Sequence, residues 1–427
     1  MLTFTLLVLL GLILLSIPIA AALGLLGLSL SSFYSPMPLH RALGDILWQN
    51  GTEYLLVAIP MFVLLGELLL RAGVTQGMYR AMALWMNRVP GGLMHANIGS
   101  SALFAATSGS SVATAATIGT VSLPQMHERG YPAPLFLGTI AAGGTLGILI
   151  PPSINLIVYG LLTDTSVPAL YLAGLIPGAI LAGLFTATVI IACVINKKWA
   201  GRPVDTTWSE RFGALPALLP PVGIFLVVVG SIYAGIATPT EAASLGVVAA
   251  LILAATNRRL TKETLLGAFE STMRTTAMIL LIILAAIFLN FILGVIGLTQ
   301  ALTAFISGLG LSPLETILLI VVFYLVLGCF METMSMLLTT APLIAPIVVS
   351  LGYDPVWFGI LLMVLLETAL ITPPIGVNLY VVQGVRESGP FSDVMKGALL
   401  FILPMLAMIA LLIALPDVAL WLPGLFY

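Results

Sequence analysis

Two proline pairs stand in stretches that are otherwise apolar, "LGILIPPSIN" at 146–155 and "ALITPPIGVN" at 369–378. A proline pair removes two backbone donors and disfavours helical geometry at the residue before it, so no continuous helix runs through Ile150-Pro151-Pro152 or Thr372-Pro373-Pro374. The carbonyls one turn earlier then lose their partners. In hydrocarbon such orphans are costly, and a break persists only where protein covers it or a polar occupant fills it. Free carbonyls beside Ser and Thr hydroxyls, at the partly negative end of a half-helix, suit a small hard cation. Two short polar stretches are spaced to complete such sites: "TSGSSVATAAT" at 107–117, with its tip at Ser108-Gly109-Ser110-Ser111, and "METMSMLLTT" at 331–340.

The elements that hold these residues must be membrane helices. The chain of 427 residues is 60% hydrophobic and 7% charged, where soluble domains carry about 25% charged residues. An all-α polytopic membrane protein is expected, with apolar runs of about 20 residues serving as spans. Candidates lie near 3–24, 54–70, 135–162, 168–195, 214–233, 240–256, 275–293, 355–384 and 395–415, with apolar pairs at 91–124 and 313–346. Met1 to Ala22 lacks a basic leader and is too long an apolar run for a signal peptide, so it reads as the first span. A net charge of −2 excludes a nucleic-acid partner, which needs a basic patch. Cys193 and Cys329 read as small buried residues, and His40, His95 and His127 have no second ligand at metal spacing.

An offset of 222, the spacing from Pro151 to Pro373, also superposes Pro124 on Pro346, Gly130-Tyr131 on Gly352-Tyr353, and Ala20-Ala21 on Ala242-Ala243. A duplication follows. The first repeat is placed at 1–195, a basic loop and linker span at 196–234, and the second repeat at 235–427. Each repeat is expected to hold an interfacial arm helix (37–53, 258–273), a re-entrant hairpin (91–124, 313–346), a broken helix (135–162, 355–384) and a closing span (168–195, 395–415). The loop with Arg71, Arg80 and Arg88 has an uncharged counterpart near 294–312. Such inversion of charge places equivalent loops on opposite sides of the membrane. Together with a count of crossings, it puts the N-terminus in the cytoplasm and the C-terminus outside.

One proline break alone would read as a kink, and serine-rich helix as packing glue. Two breaks at matched positions favour ion sites. Hairpin tip and break face one another in each repeat, leaving substrate space between the two pairs. Intramembrane carboxylates are functional candidates by default: Glu332 and Glu367 lie near the second break, whereas Glu67 sits beside Arg71, where the two can pair.

The strings "SGSSVATAATIGTVSLPQMHERGY", "GGTLGILIPPSINLIVYG", "ATPTEAASLG" and "GYDPVWFGILLMVLLETALITPPIGVNLYVVQG" resemble the large membrane subunit of tripartite ATP-independent periplasmic (TRAP) transporters over nearly the whole chain. The resemblance implies a permease of the bacterial inner membrane with an ion-transporter fold and elevator motion, importing an organic acid anion such as a C4-dicarboxylate or sialic acid with Na+ as coupling ion. It implies two partners, a small four-helix membrane subunit and a periplasmic substrate-binding protein. Because the chain starts at the large subunit's first span, the small subunit is expected as a separate chain. Carried over by motif, a first sodium site would involve Ser108, Ser110, Gly143 and Pro151, and a second Glu332, Thr333, Thr368 and Thr372. Ser111, Thr114, Pro152, Asn155, Pro373, Pro374 and Asn378 would border the substrate.

A passive anion channel and a proton-coupled carrier remain as alternatives. An intramembrane hydrolase has little support: HExxH is absent, and Ser108 to Ser111 have no nearby His or Asp as base and orienter. No arginine is placed at the midplane to meet the anion, which leaves backbone amides at helix starts for that task.

Overall fold

Lipid leaves backbone groups no partner but each other, and among the described residues the chain forms helices and no strand. The computed structural model describes residues 1–15, 17–202 and 206–426. Ser16, inside the expected first span, and 203–205, inside the expected basic loop, lie outside the described residues. The first half runs α1 (Leu2–Leu14), α2 (Ile19–Tyr34), α3 (Leu43–Gly51), α4 (Ala58–Arg71), α5 (Val74–Met86), α6 (Leu93–Ser108), α7 (Ser111–Glu128), α8 (Ala133–Leu149), α9 (Ile154–Thr163) and α10 (Val167–Ile195). A short α11 (Trp208–Ala214) leads to α12 (Leu219–Tyr233), α13 (Pro239–Thr256), α14 (Lys262–Val295), α15 (Leu298–Gly308), α16 (Pro313–Leu327), α17 (Thr333–Ser350), α18 (Pro355–Ile371), α19 (Val377–Val385) and α20 (Phe391–Ala414). Among the described residues, eight helical stretches are long and apolar enough to cross a membrane. This is a multi-pass membrane protein.

The duplication is visible in the helix boundaries. A shift of 222 carries α7 onto α17 and α8 onto α18 end to end, and all but the first residue of α9 onto α19. Packing repeats as well. Helix α4 lies on α13 as α14 lies on α2, and α7 meets α19 as α17 meets α9. The first set forms a frame shared between the halves, and the second ties each hairpin to the broken helix of the other repeat. Helix α8 is central, packed by α6, α7 and α20. At Gly138 and Gly397 the backbones of α8 and α20 come so close that a methyl group on either would strike the opposite main chain, the use of small residues typical of membrane helix crossings.

Two expectations change. The span expected over 3–24 is two helices, α1 and α2, because Pro18 at the start of α2 disfavours helical geometry at Ile17. That break also withdraws the crossing count from the argument for orientation. The arm expected over 258–273 is no separate helix, since α14 continues unbroken for 34 residues. No proline occurs in that run. At 1.5 Å per residue it is about 51 Å long, well beyond the roughly 30 Å apolar layer. Its charged first half is thus long enough to reach beyond that layer, and there Glu270 and Arg274 pair at 3.4 Å. The counterpart in the first repeat is split into α3 and α4 by the turn through Thr52 and Tyr54–Val57.

Candidate ion and substrate site

Helix α6 ends at Ser108, and Gly109 turns the chain with φ of 61° in the left-handed region. Ser110 is extended and opens α7, its Oγ accepting the Ala113 N–H at 3.3 Å. Thr114 Oγ1 donates to the Ser110 carbonyl at 2.7 Å and lies 3.3 Å from Ser108 Oγ. Ser111 Oγ donates to the Thr145 carbonyl at 3.0 Å, one turn before the break in α8.

The break itself begins at Ile150, which is extended, and ends where α9 restarts at Ile154. Both proline pairs, Pro151-Pro152 and Pro373-Pro374, are joined by cis bonds. The first tip is seated directly on its break: a methyl group on Gly109 would lie 2.6 Å from the Pro152 carbonyl oxygen, and one on Gly147 2.7 Å from the backbone of Ser110 and Ser111. Ser108, Ser110, Pro151 and Pro152 are thus brought together. Gly143 is not at the tip. It sits one turn further from the break, where a methyl group would meet Ser101 Oγ at 2.8 Å, against the body of the hairpin. On α8 it is Gly147, rather than the expected sodium-site residue Gly143, that packs against the tip.

In the second repeat Glu332 stands where Ser110 stands in the first. One carboxylate oxygen accepts from Thr333 Oγ1 at 3.0 Å and from the Met334 N–H at 2.9 Å, while the other accepts from the Ser335 N–H at 3.0 Å and Ser335 Oγ at 3.1 Å. It is a charged cap on the partly positive start of α17. Thr368 Oγ1 donates to Val364 O at 2.8 Å and Thr372 Oγ1 to Thr368 O at 2.6 Å, so both hydroxyls keep lone pairs for a cation. The two breaks differ in cover. Pro151, Pro152 and Ser153 are buried, whereas Pro373 is half-buried and Pro374 exposed. Hairpin and broken helix of the second repeat meet at Gly328 and Ala369, one turn ahead of the hairpin tip at Glu332 and of the break at Thr372.

Between the tips opens a cavity of about 640 Å³. Its walls are Ser108 to Ala113 and Glu332 to Ser335 on the tips, Ile154 and Asn155 on α9, and the frame residues Val63, Gly66, Glu67, Thr275, Met278 and Ile279. Ser111 and Asn155 of the expected substrate region line it. Thr114, Pro152, Pro373, Pro374 and Asn378 are not part of the wall; Asn378 instead donates from Nδ2 to the Ala141 carbonyl at 3.1 Å, tying α19 to the middle of α8. Glu67 is held by Arg71 at 3.3 Å, which also donates to Gly267 O and Ser271 Oγ on α14. Ser335 and Gly66 were missed. Ser335 is the third residue of the capped start of α17, a position the "ETMS" string itself marks, but Gly66 carries no local signal because its role is contact with the Ser108 carbonyl across the frame.

At the first break Ser153 Oγ is buried without a hydrogen-bond partner. Together with the serines of the tip it forms an oxygen-only donor set, which fits a hard cation. Among the described residues no group of three His, Cys, Asp or Glu side chains is gathered for a metal of another kind.

Residues 6–418 match the family model described as tripartite ATP-independent periplasmic transporter, DctM component. The chain belongs to this family. As a DctM component it is a large permease subunit of a secondary transporter, not an enzyme. It is 34% identical over 432 residues to the C4-dicarboxylate TRAP transporter large permease protein DctM of Rhodobacter capsulatus, covering 98% of this chain and 97% of that protein. It is 33% identical to the sialic acid TRAP transporter large permease protein SiaM of Vibrio cholerae (88% and 87% covered). Identity is 31% to the ectoine TRAP transporter large permease protein TeaC of Halomonas elongata (87% of each). In fold, this DctM component is similar to the YdaH transporter of Alcanivorax borkumensis, with a TM-score of 0.66, 17% identity, and 96% and 98% of the two chains covered.

Proposed function

We propose that this DctM component imports an organic acid anion together with sodium by an elevator motion. One observation carries the reading: two hairpin tips and the flanks of two broken helices, matched across the repeats, border a single cavity whose remaining wall is a separately packed frame. Ser108, Ser110 and Pro151, with carbonyls freed at the break, would hold one sodium ion; Glu332, Thr333, Thr368 and Thr372 would hold a second. Ser111 and Asn155 would face the anion. The hairpins and broken helices α8–α9 and α18–α19 would carry it past α2, α4, α13 and α14.

C4-dicarboxylates and sialic acid are the leading substrates, on the strength of the relatives' names. A small four-helix subunit and a periplasmic binding protein would complete the system, in a bacterial inner membrane. The N-terminus is proposed to be cytoplasmic and the C-terminus periplasmic; the support is the charge bias alone, with Arg71, Arg80 and Arg88 on and beside α5 against the uncharged 294–312.

The test is uptake of labelled succinate and sialic acid into proteoliposomes holding this chain and its small subunit, with the binding protein outside. Uptake should require an inward sodium gradient, and Ser110→Ala should raise the half-saturating sodium concentration several-fold. Uptake of the transported acid that is indifferent to sodium overturns the reading.

A further inference from the structure

The walls of the central cavity contain two carboxylates, Glu67 and Glu332, and no arginine or lysine. A second cavity, of about 400 Å³, adjoins it, with Leu70 and Ala113 in the walls of both. One wall is α7 of the first hairpin, through Ala116, Thr117 and Thr120. The other is the corner between α4 and α5, together with Arg259 in the turn before α14. The second cavity thus lies between hairpin and frame, at the end of α4 that carries Arg71.

Arg259 is held there by its neighbours. Asn257 Nδ2 donates to the Ala72 carbonyl at 3.1 Å, which ties the turn after α13 to the corner after α4. Arg258 takes a φ of 55°, in the left-handed region usually left to glycine at a helix end, and the Arg259 N–H donates to the Ala254 carbonyl at 2.8 Å. The Arg259 side chain lies across Gly73, where a methyl group would come within 3.7 Å of Nε. Its charge is nevertheless uncompensated. Among the described residues the ion pairs are Arg71 with Glu67, Arg274 with Glu270 and Arg386 with Asp393, and Glu263, the nearest acid in sequence, is engaged with the Thr261 hydroxyl. No Asp or Glu lines the second cavity, and two of its threonines, Thr75 and Thr117, have buried hydroxyls without a hydrogen-bond partner.

A guanidinium, two hydroxyls and the amide of Gln76 can all donate to a carboxylate. The second repeat has no equivalent. At the offset of 222 the counterpart of Arg259 is Met37, and neither 35–38 nor 294–300 contains a charged residue. We propose that the second cavity is a release subsite for the carboxylate of the transported acid, with Arg259 as a fixed positive charge on the frame that receives the anion as it leaves the central cavity. A positive charge at one mouth and not at the other lowers the electrostatic barrier to exit on that side alone. This deepens the transport reading above and rests on it.

The experiment uses the purified complex with the small subunit, with Cys193 and Cys329 replaced and Thr120→Cys as a reporter in the cavity wall; Ala116→Cys serves if the first reporter is not recovered. A negatively charged methanethiosulfonate should label the reporter faster than a positively charged one. Succinate or sialic acid should slow that labelling several-fold, whereas the neutral diamide of succinate and inorganic phosphate should not. Arg259→Gln should remove both the charge preference and the protection, and Arg259→Lys should keep part of each. In proteoliposomes Arg259→Gln should cut the maximal rate of uptake several-fold and leave the half-saturating sodium concentration as it was. Labelling that neither acid slows overturns the proposal even if the Arg259 variants cannot be recovered. Protection that survives Arg259→Gln also overturns it, because the anion then binds elsewhere, as does equal protection by phosphate, which would mark a general anion site. Sodium dependence of wild-type uptake is scored separately, so loss of the transport reading and loss of this one give different results.

Discussion

Gly109 shows how much one missing side chain decides. Its positive φ costs an L-residue roughly 1–2 kcal/mol, and a methyl group there would press on the Pro152 carbonyl oxygen. Gly109→Ala is expected to lower the thermal unfolding midpoint of the purified protein and to cut uptake at least tenfold. Equal stability with unchanged uptake would show that the tip need not touch the break. Glu332 is a second case, because its carboxylate both caps α17 and faces the cavity. Glu332→Gln keeps one oxygen acceptor and should cost about 1 kcal/mol as a cap; a rise in the sodium requirement beyond what that instability explains would assign it to the ion. Ser108, Ser110 and Pro151 were legible in sequence because serines and prolines interrupt apolar helix. Gly147 was not, since Gly143, Gly144 and Gly147 are alike in composition and only the helical turn decides which meets the tip. The setting of Glu367 was equally hidden: sequence shows a carboxylate in an apolar run, but not that the fold buries it completely.

Among elements, α4 and α14 are clamped by Arg71, which reaches Glu67, Gly267 O and Ser271 Oγ together. Its side chain is 34% exposed, and pairs of that kind contribute little, up to about 1 kcal/mol. Arg71→Ala should therefore shift the melting temperature by only a few degrees and leave the sodium dependence of uptake as it was. Hairpins and broken helices could be read ahead of the structure because prolines at 151–152 and 373–374 are local signals. The continuity of α14 could not. Its charged beginning and apolar end look like two environments, and the backbone runs through simply because no residue there interrupts it. The two helices in place of one first span had a cue in Pro18, outweighed by the apolar run around it.

For the whole molecule, the elevator reading requires the first hairpin tip to leave the frame during each cycle. A side chain at Gly66 would place its Cβ 3.5 Å from the Ser108 Cβ, within the spacing of a disulfide. In a background with Cys193 and Cys329 replaced, Gly66→Cys with Ser108→Cys should cross-link under oxidation, detected by a gel shift. At saturating sodium, uptake should stop on oxidation and return on reduction to the level of the unoxidised double variant. Transport that continues in fully cross-linked protein means that the tip and frame never separate.

The exchange of faces within the frame also has a bearing on how the protein is made. Helix α4 finds its partner α13 only after some 170 further residues have been added, and α2 waits longer still for α14. At about 5–20 residues per second that is on the order of 10–35 s, during which the first half rests in the bilayer with its future contact faces bare. Biogenesis thus has an obligatory delay, and a ribosome that stalls within the linker leaves behind an incomplete half that quality-control proteases can recognise by those uncovered faces.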